Sequence, residues 1–332
     1  MTVLVRGEGV AAACCARLLE GGGIRVAFET LDRPKVPALM LGESAQKLLT
    51  DVFDRPDLFS GLARIRKRVV LWGERAEPLT LPHSAVVVSE QALLDRIQPQ
   101  SSPEHVADRE QIDWTIHAAR PLPVAAVEHR FGSRMATASA VKLKAGTDRE
   151  ACWVESLKGG WLFLLPAGAD RAWLLSVGDA TEAQLSKSRL VAEQIADMGQ
   201  AMGSFPASPR IADPLGGLHW LACGTGGMGF DPLCGDGAGN AARESILAAA
   251  VIQAAAAGAD VESLVAHYRT RLAAGFQRHL QVCREFYSQG HRGPWWDGEL
   301  REIERGLQWC GGRLAGAGEF QYRLNGFALE RV

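Results

Sequence analysis

Apolar residues near the amino terminus form two short runs, one on each side of a helical pattern. The first run, VLV at positions 3–5, is typical of a buried strand and leads into a glycine-containing turn. Apolar residues at helical spacing continue through Leu19, and three glycines at positions 21–23 then interrupt them. The second run, IRVAFE, ends at Glu29. The pattern predicts a strand–helix–strand unit.

The turn between the first strand and the helix carries a dinucleotide-binding pattern. Residues 7–12, GEGVAA, fit G-x-G-x-x-A. Gly7 permits a tight turn, Gly9 leaves the backbone open to a pyrophosphate, and small Ala12 lets helix and strand pack closely. Glu29, about twenty residues further on, can accept hydrogen bonds from a ribose diol. The sequence therefore predicts a site for FAD or NAD rather than NADP. The alternative is a doubly wound fold whose turn is rich in glycine but binds no dinucleotide.

Later segments predict strands and helices in an order unlike that of an ordinary NAD-binding domain. They comprise a helix opening at GES (42–44), a strand entering a helix over 86–97, a buried strand within 111–120, and two strands joined by a turn at 167–170. Residues 64–73, RIRKRVVLWG, predict an edge strand with solvated basic side chains. Residues 182–202 predict an amphipathic helix that packs on a sheet.

A second glycine-rich loop opens a helix late in the chain. Residues 229–240 read GFDPLCGDGAGN and stand between a predicted strand within 218–226 and an alanine-rich segment. Such a loop presents free N–H groups and the positive end of the helix dipole to an electron-rich group. A plain buried helix with a glycine-rich start is the alternative.

The amino-acid composition gives no sign of several kinds of partner and site. The chain has 332 residues, of which 47% are hydrophobic, and a formal net charge of −2, which gives no reason to expect nucleic acid or an anionic membrane as a partner. Its seven cysteines have no C-x-x-C or Cys/His spacing, so neither a disulfide framework nor a metal site is predicted. Cys14 and Cys15 are expected in the core. With no long apolar run and no signal peptide pattern, the expected compartment is the cytoplasm.

Three motifs and the tail occur in the order found in a known superfamily. They are Gly42-Glu43-Ser44, GWLFLLP at 160–166, FDPLCGDG at 230–237, and a helix followed by aromatic residues over 279–296. On these residues the chain resembles the FAD-dependent monooxygenase superfamily, which has the para-hydroxybenzoate hydroxylase fold, and most closely its flavin-dependent tryptophan halogenase-like branch. In length and in the style of residues 64–73 and 81–90 it is also similar to the subgroup that matures tryptophylquinone-containing oxidases.

The resemblance implies an α/β fold in which a Rossmann-like FAD-binding domain is interleaved with a β-sheet-based substrate domain. The implied division assigns 1–60, 85–120 and 205–260 to the FAD domain, 61–84 and 121–204 to the substrate domain, and 261–332 to C-terminal helices. No side chain stands out as a catalytic base, so only cofactor contacts are predicted. The predicted FAD-binding residues are Gly7, Gly9, Ala12, Glu29, Glu43, Gln91, Thr225, Asp231, Pro232, Leu233, Gly235 and Gly237.

Four departures from the family pattern refine the expected chemistry. Thr225 stands where the family has an acid that binds the ribityl chain, which predicts weaker FAD binding. Residues 113–120 contain no Asp-Gly motif, which favours reduced flavin from a separate reductase over direct use of NADPH. Lys67 is the nearest candidate for the halogenase lysine, but its spacing to the next tryptophan is short. Phe163 and Leu165 replace Trp and Ile of a halogenase motif, which favours hydroxylation.

The implied activity is hydroxylation of an electron-rich aromatic substrate through a flavin C4a-hydroperoxide. A tryptophan side chain of a partner oxidase, modified during maturation of its quinone cofactor, is one candidate substrate. A flavin-dependent halogenase and a non-catalytic maturation partner are the alternatives. Three further side chains have both a functional and a structural interpretation: His83 as acid–base group or loop residue, and Trp295 and Trp296 as a cover of the substrate site or as core or interface residues. Arg96 is expected on a solvated helix face.

Overall fold

The computed structural model describes residues 1–97, 112–234, 236–316 and 321–332. The elements of the first half, in chain order, are β1 (Thr2–Arg6), α1 (Val10–Gly21), β2 (Arg25–Glu29), β3 (Leu39–Gly42), α2 (Glu43–Phe53), β4 (Ala63–Leu71), β5 (Leu79–Val88), α3 (Glu90–Ile97), β6 (Trp114–His117), β7 (Val127–Arg130), β8 (Met135–Leu143), β9 (Ala151–Leu157) and β10 (Gly160–Pro166). Those of the second half are β11 (Arg171–Gly178), α4 (Thr181–Leu185), β12 (Ile195–Pro206), β13 (Arg210–Asp213), β14 (Gly216–Gly217), β15 (Trp220–Ala222), α5 (Gly224–Gly227), β16 (Met228–Gly229), α6 (Gly237–Ala256), α7 (Val261–Ser288), α8 (Pro294–Leu314), β17 (Tyr322–Asn325) and β18 (Ala328–Arg331).

The amino-terminal strand lies inside a five-stranded sheet with the order β14-β15-β6-β1-β2. β1 pairs in parallel with both β2 and β6, and β15 continues the parallel set beyond β6. The strand–helix–strand unit predicted from the first 29 residues is therefore confirmed. Because these strands are parallel, their carboxyl ends meet at one edge, which is where open α/β sheets bind ligands.

The alanine-rich helix α6 packs along α1. Ser245 donates from Oγ to the carbonyl oxygen of Ala11 at 3.0 Å, and Gln253 donates to that of Leu18 at 2.9 Å. The main contact of α6 is with α1. Small side chains on both helices allow this close approach, and the buried Cys14 and Cys15 lie in the core as expected.

An eight-stranded mixed sheet with the order β12-β8-β11-β10-β9-β4-β5-β3 forms the second layer. The predicted pair of adjacent strands is confirmed as β10 and β11, which are antiparallel. The prediction that residues 64–73 form an edge strand is wrong. β4 pairs with β5 on one side and with β9 on the other, so its backbone is satisfied on both sides although its basic side chains reach solvent.

The helix predicted over residues 182–202 is also wrong. Helical structure in this segment is limited to α4 at its start and to a single 3-10 turn at Ala192–Gln194, and between them the chain turns around the buried carboxylate of Glu155. That carboxylate accepts hydrogen bonds from the backbone N–H groups of Arg189, Leu190 and Val191 at 2.7, 3.1 and 2.9 Å. Beyond the turn, β12 pairs with β8. The apolar spacing reflects real core contacts, but a distant acid and a neighbouring strand supply the hydrogen bonds that a helix would make.

The carboxyl-terminal part consists of α7 and α8 packed on each other, followed by the hairpin of β17 and β18, which the sequence did not predict. In the part of the chain that the structure describes, no helix combines the length and the apolar character needed to cross a membrane. The division of the chain into three parts stays a prediction.

Candidate cofactor site

The first glycine of the amino-terminal motif packs against the end of β6. Gly7 has a φ of 116°, and its N–H donates to the carbonyl oxygen of Glu29 at 2.9 Å. A Cβ at Gly7 would lie 2.5 Å from the Cβ of Ala119. Glycine is therefore required here both for the backbone conformation and for the close approach of two strand ends.

The second glycine of the motif forms a cradle at the start of α1, and the guanidinium of Arg33 lies over it. Gly9 has a φ of 107° and is the residue before the first turn of the helix. A Cβ at Gly9 would lie 2.9 Å from Oε1 of Glu90 and would collide with the guanidinium of Arg33. The free N–H groups of a helix start, next to a residue without a side chain, form a site for a phosphate group. The residues present thus fit the pyrophosphate of a dinucleotide.

Two other predicted contacts of this motif have clear positions. Ala12 is 3% exposed and packs in the core, in keeping with its predicted role as a small spacer. Glu29 forms a bidentate ion pair with Arg6, with Nε–Oε2 and Nη2–Oε1 distances of 2.9 Å. A ribose bound here would share the Glu29 carboxylate with Arg6.

A second glycine-rich turn, α5, lies beside the first one. A Cβ at Gly224 would lie 2.6 Å from the Cβ of Ala11, so the two turns are in close contact. Thr225 is exposed, and its Oγ1 donates to the carbonyl oxygen of Ala118 at 3.3 Å. The structure therefore gathers the Gly7 turn, the end of β6 and Thr225 at one edge of the parallel sheet.

A buried acid supports this second turn. Glu244 on α6 is 3% exposed, and its Oε2 accepts a hydrogen bond from the N–H of Gly224 at 2.6 Å. Burial raises the pKa of Glu244 to about 8, which outweighs the lowering by the Gly224 hydrogen bond and by Arg210. The carboxyl is therefore mostly protonated at neutral pH. Nothing in the sequence distinguishes Glu244 from a solvated helix residue.

We expect Glu244 to make the protein less stable as the pH rises from about 5 to 8. Its unfolded pKa is near 4.5 and its folded pKa about 8, so between these values the folded state binds more protons than the unfolded state. The free energy of unfolding then falls with pH, by up to about 1.4 kcal/mol per pH unit. Urea denaturation at pH 5, 6.5 and 8 measures this slope. Glu244→Gln is expected to flatten it and exposed Glu285→Gln to leave it unchanged; equal slopes in all three proteins would contradict the assignment.

The late glycine-rich loop opens α6 as predicted. Asp236 precedes the helix, and its Oδ1 accepts a hydrogen bond from the N–H of Gly239 at 3.0 Å. Gly237 is the exposed first residue of α6. Pro232 and Leu233 are partly exposed, whereas Gly235 lies outside the described residues.

The side chain of Asp231 points into the protein. It is 0% exposed, and its carboxylate accepts hydrogen bonds from the hydroxyl of Tyr287 at 2.8 Å and the N–H of Leu233 at 2.9 Å. The N–H of Asp231 donates to Nε2 of His279 at 2.9 Å. A flavin against this loop would therefore face its backbone and the Pro232–Leu233 surface, while the Asp231 carboxylate anchors the loop from behind.

A buried arginine pairs with that carboxylate. Nε of Arg134 lies 3.0 Å from Oδ2 of Asp231, and its Nη1 lies 2.7 Å from Oε2 of Glu299. The guanidinium also lies over the ring of Tyr287, 4.7 Å from its centroid. Of this cluster the sequence singled out only Asp231, because Arg134, Tyr287 and Glu299 lie far from it in the chain and each has an ordinary local context.

Three predicted side chains lie elsewhere than at the glycine turns. Glu43 is the exposed first residue of α2. Gln91 is exposed and donates to Oδ1 of Asp95 at 2.8 Å along α3, while the preceding Glu90 turns toward Gly9. Lys67 forms an exposed ion pair with Asp148 at 2.6 Å. The predicted cofactor roles of Glu43 and Gln91 stay predictions.

The other side chains singled out from the sequence show structural contacts. His83 lies inside β5 rather than in a loop before it, and burial, followed by the charge of Arg68, lowers its pKa. Arg96 donates to the carbonyl oxygen of Leu58 at 2.7 Å and so ties α3 to the segment after α2. Trp296 is 1% exposed and donates to the carbonyl oxygen of Leu157 at 2.9 Å, which makes it a core residue.

Solved structures place these features in a known architecture. Neither protein-family models nor curated protein sequences match the chain. Peptidyl tryptophan dihydroxylase QhpG, described as essential for tryptophylquinone cofactor biogenesis, superposes with a TM-score of 0.73 at 22% identity, over 90% of this chain and 78% of QhpG. The flavin-dependent halogenase CmlS gives 0.73 at 16% identity, over 94% and 70%. Klebsiella pneumoniae HpxO, complexed with FAD and uric acid, gives 0.62 at 15% identity, over 96% and 94%.

The chain shares the fold of QhpG, CmlS and HpxO. The predicted α/β class, with a Rossmann-like sheet and a second, larger sheet, is confirmed. In this fold the two glycine turns at the carboxyl ends of β1 and β15, together with the loop before α6, form the candidate cofactor site. A separate cavity of about 780 Å³ is lined by described residues of β13, α7 and α8, and none of the described FAD-binding candidates lines it.

Proposed function

We propose that this protein is an FAD-dependent monooxygenase that hydroxylates an electron-rich aromatic substrate. The observation that carries the proposal is the cradle at Gly9, where the start of a helix and a residue without a side chain lie directly beneath the Arg33 guanidinium, with a second cation, Lys35, nearby. The similarity of the whole fold to flavin-dependent hydroxylases and halogenases supports FAD as the dinucleotide.

The residues of this chain would divide the work of binding between three elements. The N–H groups at the start of α1 would hold the pyrophosphate, and Glu29 would bind the ribose of the adenosine. Backbone groups of residues 231–233 would lie against the flavin ring, held rigidly by the Asp231–Arg134 pair, and the start of α6 would favour negative charge near them. FAD, when bound, supplies the activation of dioxygen and the oxygen atom that is transferred. The protein supplies position and excludes water.

A tryptophan side chain of a partner protein is the substrate that we favour. QhpG is a peptidyl tryptophan dihydroxylase, and this chain is similar to it over most of its length. The absence of an Asp-Gly motif in residues 113–120 favours a separate flavin reductase as the electron source. We keep the cytoplasm as the expected compartment.

Halogenation is the second candidate, because CmlS is a flavin-dependent halogenase of the same fold. Lys67 argues against it. A halogenase lysine must be free to capture the oxidised halogen, whereas Lys67 is 44% exposed and paired with Asp148 on the solvent side of β4. A non-catalytic maturation partner remains the alternative if the protein takes up no flavin.

The visible spectrum of the purified protein, before and after addition of FAD and gel filtration, tests the proposal first. We expect flavin bands to stay with the protein. A flavin reductase, NADH, dioxygen and tryptophan-containing peptides, with and without bromide, then test the reaction by mass spectrometry. Oxygen-bearing peptides would support hydroxylation, and brominated peptides would favour the halogenase. Failure to retain flavin would overturn the enzyme proposal.

A further inference from the structure

A short segment after β2 lies across the first glycine turn and is held there by two ion pairs. We call this segment, residues 33–36, the strap. Arg33 of the strap forms a bidentate pair with Glu90, and Lys35 pairs with Glu8, the residue between the two glycines. The side chain of Glu90 is only 5% exposed, whereas those of the other three are 23–24% exposed. The strap therefore brings two cations to the phosphate cradle, and each is paired with a carboxylate of another segment.

Glu90 holds the strap through both its side chain and its backbone. Its Oε2 accepts hydrogen bonds from Nη1 of Arg33 and from the N–H of Val36, both at 2.9 Å. Its own N–H donates to the carbonyl oxygen of Val36 at 2.9 Å. These contacts fix the guanidinium of Arg33 directly over Gly9, where any side chain on the glycine would meet it.

One donor of this arrangement is left unused. Among the described residues, Nε of Arg33 is buried and has no hydrogen-bond partner. A buried guanidinium N–H normally finds an acceptor, so an unpaired one at a predicted phosphate site marks a place for an anion. Glu90 pairs with the two terminal nitrogens of the same guanidinium and brings a negative charge to the cradle at Gly9.

We propose that Glu90 competes with the cofactor's pyrophosphate for Arg33 and thereby sets how tightly the protein holds FAD. The inference rests on the proposed function. Without the cofactor the two cations of the strap balance the two carboxylates that pair with them. A bound pyrophosphate has two negative charges, and it would draw the Arg33 guanidinium, in whole or in part, away from Glu90. The like charge of Glu90 opposes that transfer. Arg33 is thus an affinity-determining contact, and Glu90 is a residue that acts through it.

The measurement is the dissociation constant of FAD, from quenching of flavin fluorescence, for the wild-type protein and three variants. Glu90→Gln keeps an acceptor for the N–H of Val36 but removes the charge, and we expect it to bind FAD at least tenfold more tightly. Arg33→Gln is expected to bind at least tenfold more weakly. Asp51→Asn removes the same charge from an exposed ion pair on α2 and is expected to stay within twofold of wild type.

Two results would overturn the inference: unchanged or weaker binding in Glu90→Gln, or unchanged binding in Arg33→Gln. Circular dichroism melts check that each variant is folded. If Glu90→Gln does not fold, the FAD affinity of Arg33→Gln is the measurement that decides.

ADP, which has the two phosphates but no flavin, separates this inference from the proposed function. An effect of both substitutions on ADP, with no FAD binding in any protein, would support the strap and refute the flavoenzyme. A Glu90→Gln protein that binds neither compound would refute both.

Discussion

Replacing Gly9 by alanine is expected to abolish the retention of FAD through gel filtration. The new methyl group would point into the cradle, where Glu90 Oε1 would be 2.9 Å away and the Arg33 guanidinium closer still. It would also block the approach of a phosphate to the N–H groups of α1. Loss of one hydrogen bond to a charged group costs about 1.5–3 kcal/mol, which corresponds to about tenfold to a hundredfold in affinity. Fluorescence titration with FAD measures the loss.

Gly23→Ala is the matched control for this substitution. Gly23 also has a positive φ, 76°, so alanine there carries a backbone strain of about 1–2 kcal/mol. The backbone of Gly9, at φ 107° and ψ −172°, lies in a region that is still less favourable for alanine, so the comparison rests on FAD affinity and not on stability. A Cβ at Gly23 meets nothing within 4 Å among the described residues. We expect Gly23→Ala to be destabilised but to retain FAD. Equal FAD affinities in the two variants would show that the cradle is not the phosphate site.

Replacing Arg134 by methionine is expected to destabilise the protein by about 3–5 kcal/mol, the usual loss when one partner of a buried ion pair is removed. Asp231 and Glu299 would both be left in the interior without their cation. Tyr287, the N–H of Leu233 and Ser133 still donate to these carboxylates, but neutral donors do not replace a charge. The free energy of unfolding from urea denaturation measures the effect.

Arg284→Met provides the control for Arg134. Arg284 is 47% exposed and pairs with the equally exposed Glu304 at 3.7 Å. An exposed pair of this kind contributes about 0–1 kcal/mol, so its loss is expected to be small. Similar unfolding free energies for the two variants would mean that Arg134 is not the counter-charge that holds the loop at Asp231.

Local patterns were sufficient where the hydrogen bonds of a segment are made within it or with its sequence neighbours. The pairing of β1 with β2, the pairing of β10 with β11 and the start of α6 have this character, and these elements were all predicted, although β1 and β11 also pair with strands that the local pattern does not indicate. Residues 182–202 lack it. Their N–H groups donate to Glu155 and to β8, both distant in sequence. The spacing of apolar residues is close to that of a helix, but it predicted the wrong secondary structure here.

The candidate site shows the same division. Gly7 and Gly9 carry a signature in their spacing, because the turn itself requires them. Arg33, Glu90 and Arg134 carry no such signature, since their importance depends on which charges the fold places next to them. Gln91 illustrates the limit. In the structure Glu90, the residue before it, faces Gly9, whereas Gln91 donates to Asp95 along α3, and its FAD contact stays a prediction.

The sequence by itself determined the α/β class, the first glycine turn and the loop that opens α6, because glycine conformation and apolar periodicity are local properties of the chain. The tertiary structure alone decided which strands are interior and which charges are buried in pairs. It also decided that a strap from one segment lies over a turn from another. These features depend on burial and on the pairing of distant charges, and the free energy of a charge is set by its surroundings rather than by its neighbours in sequence.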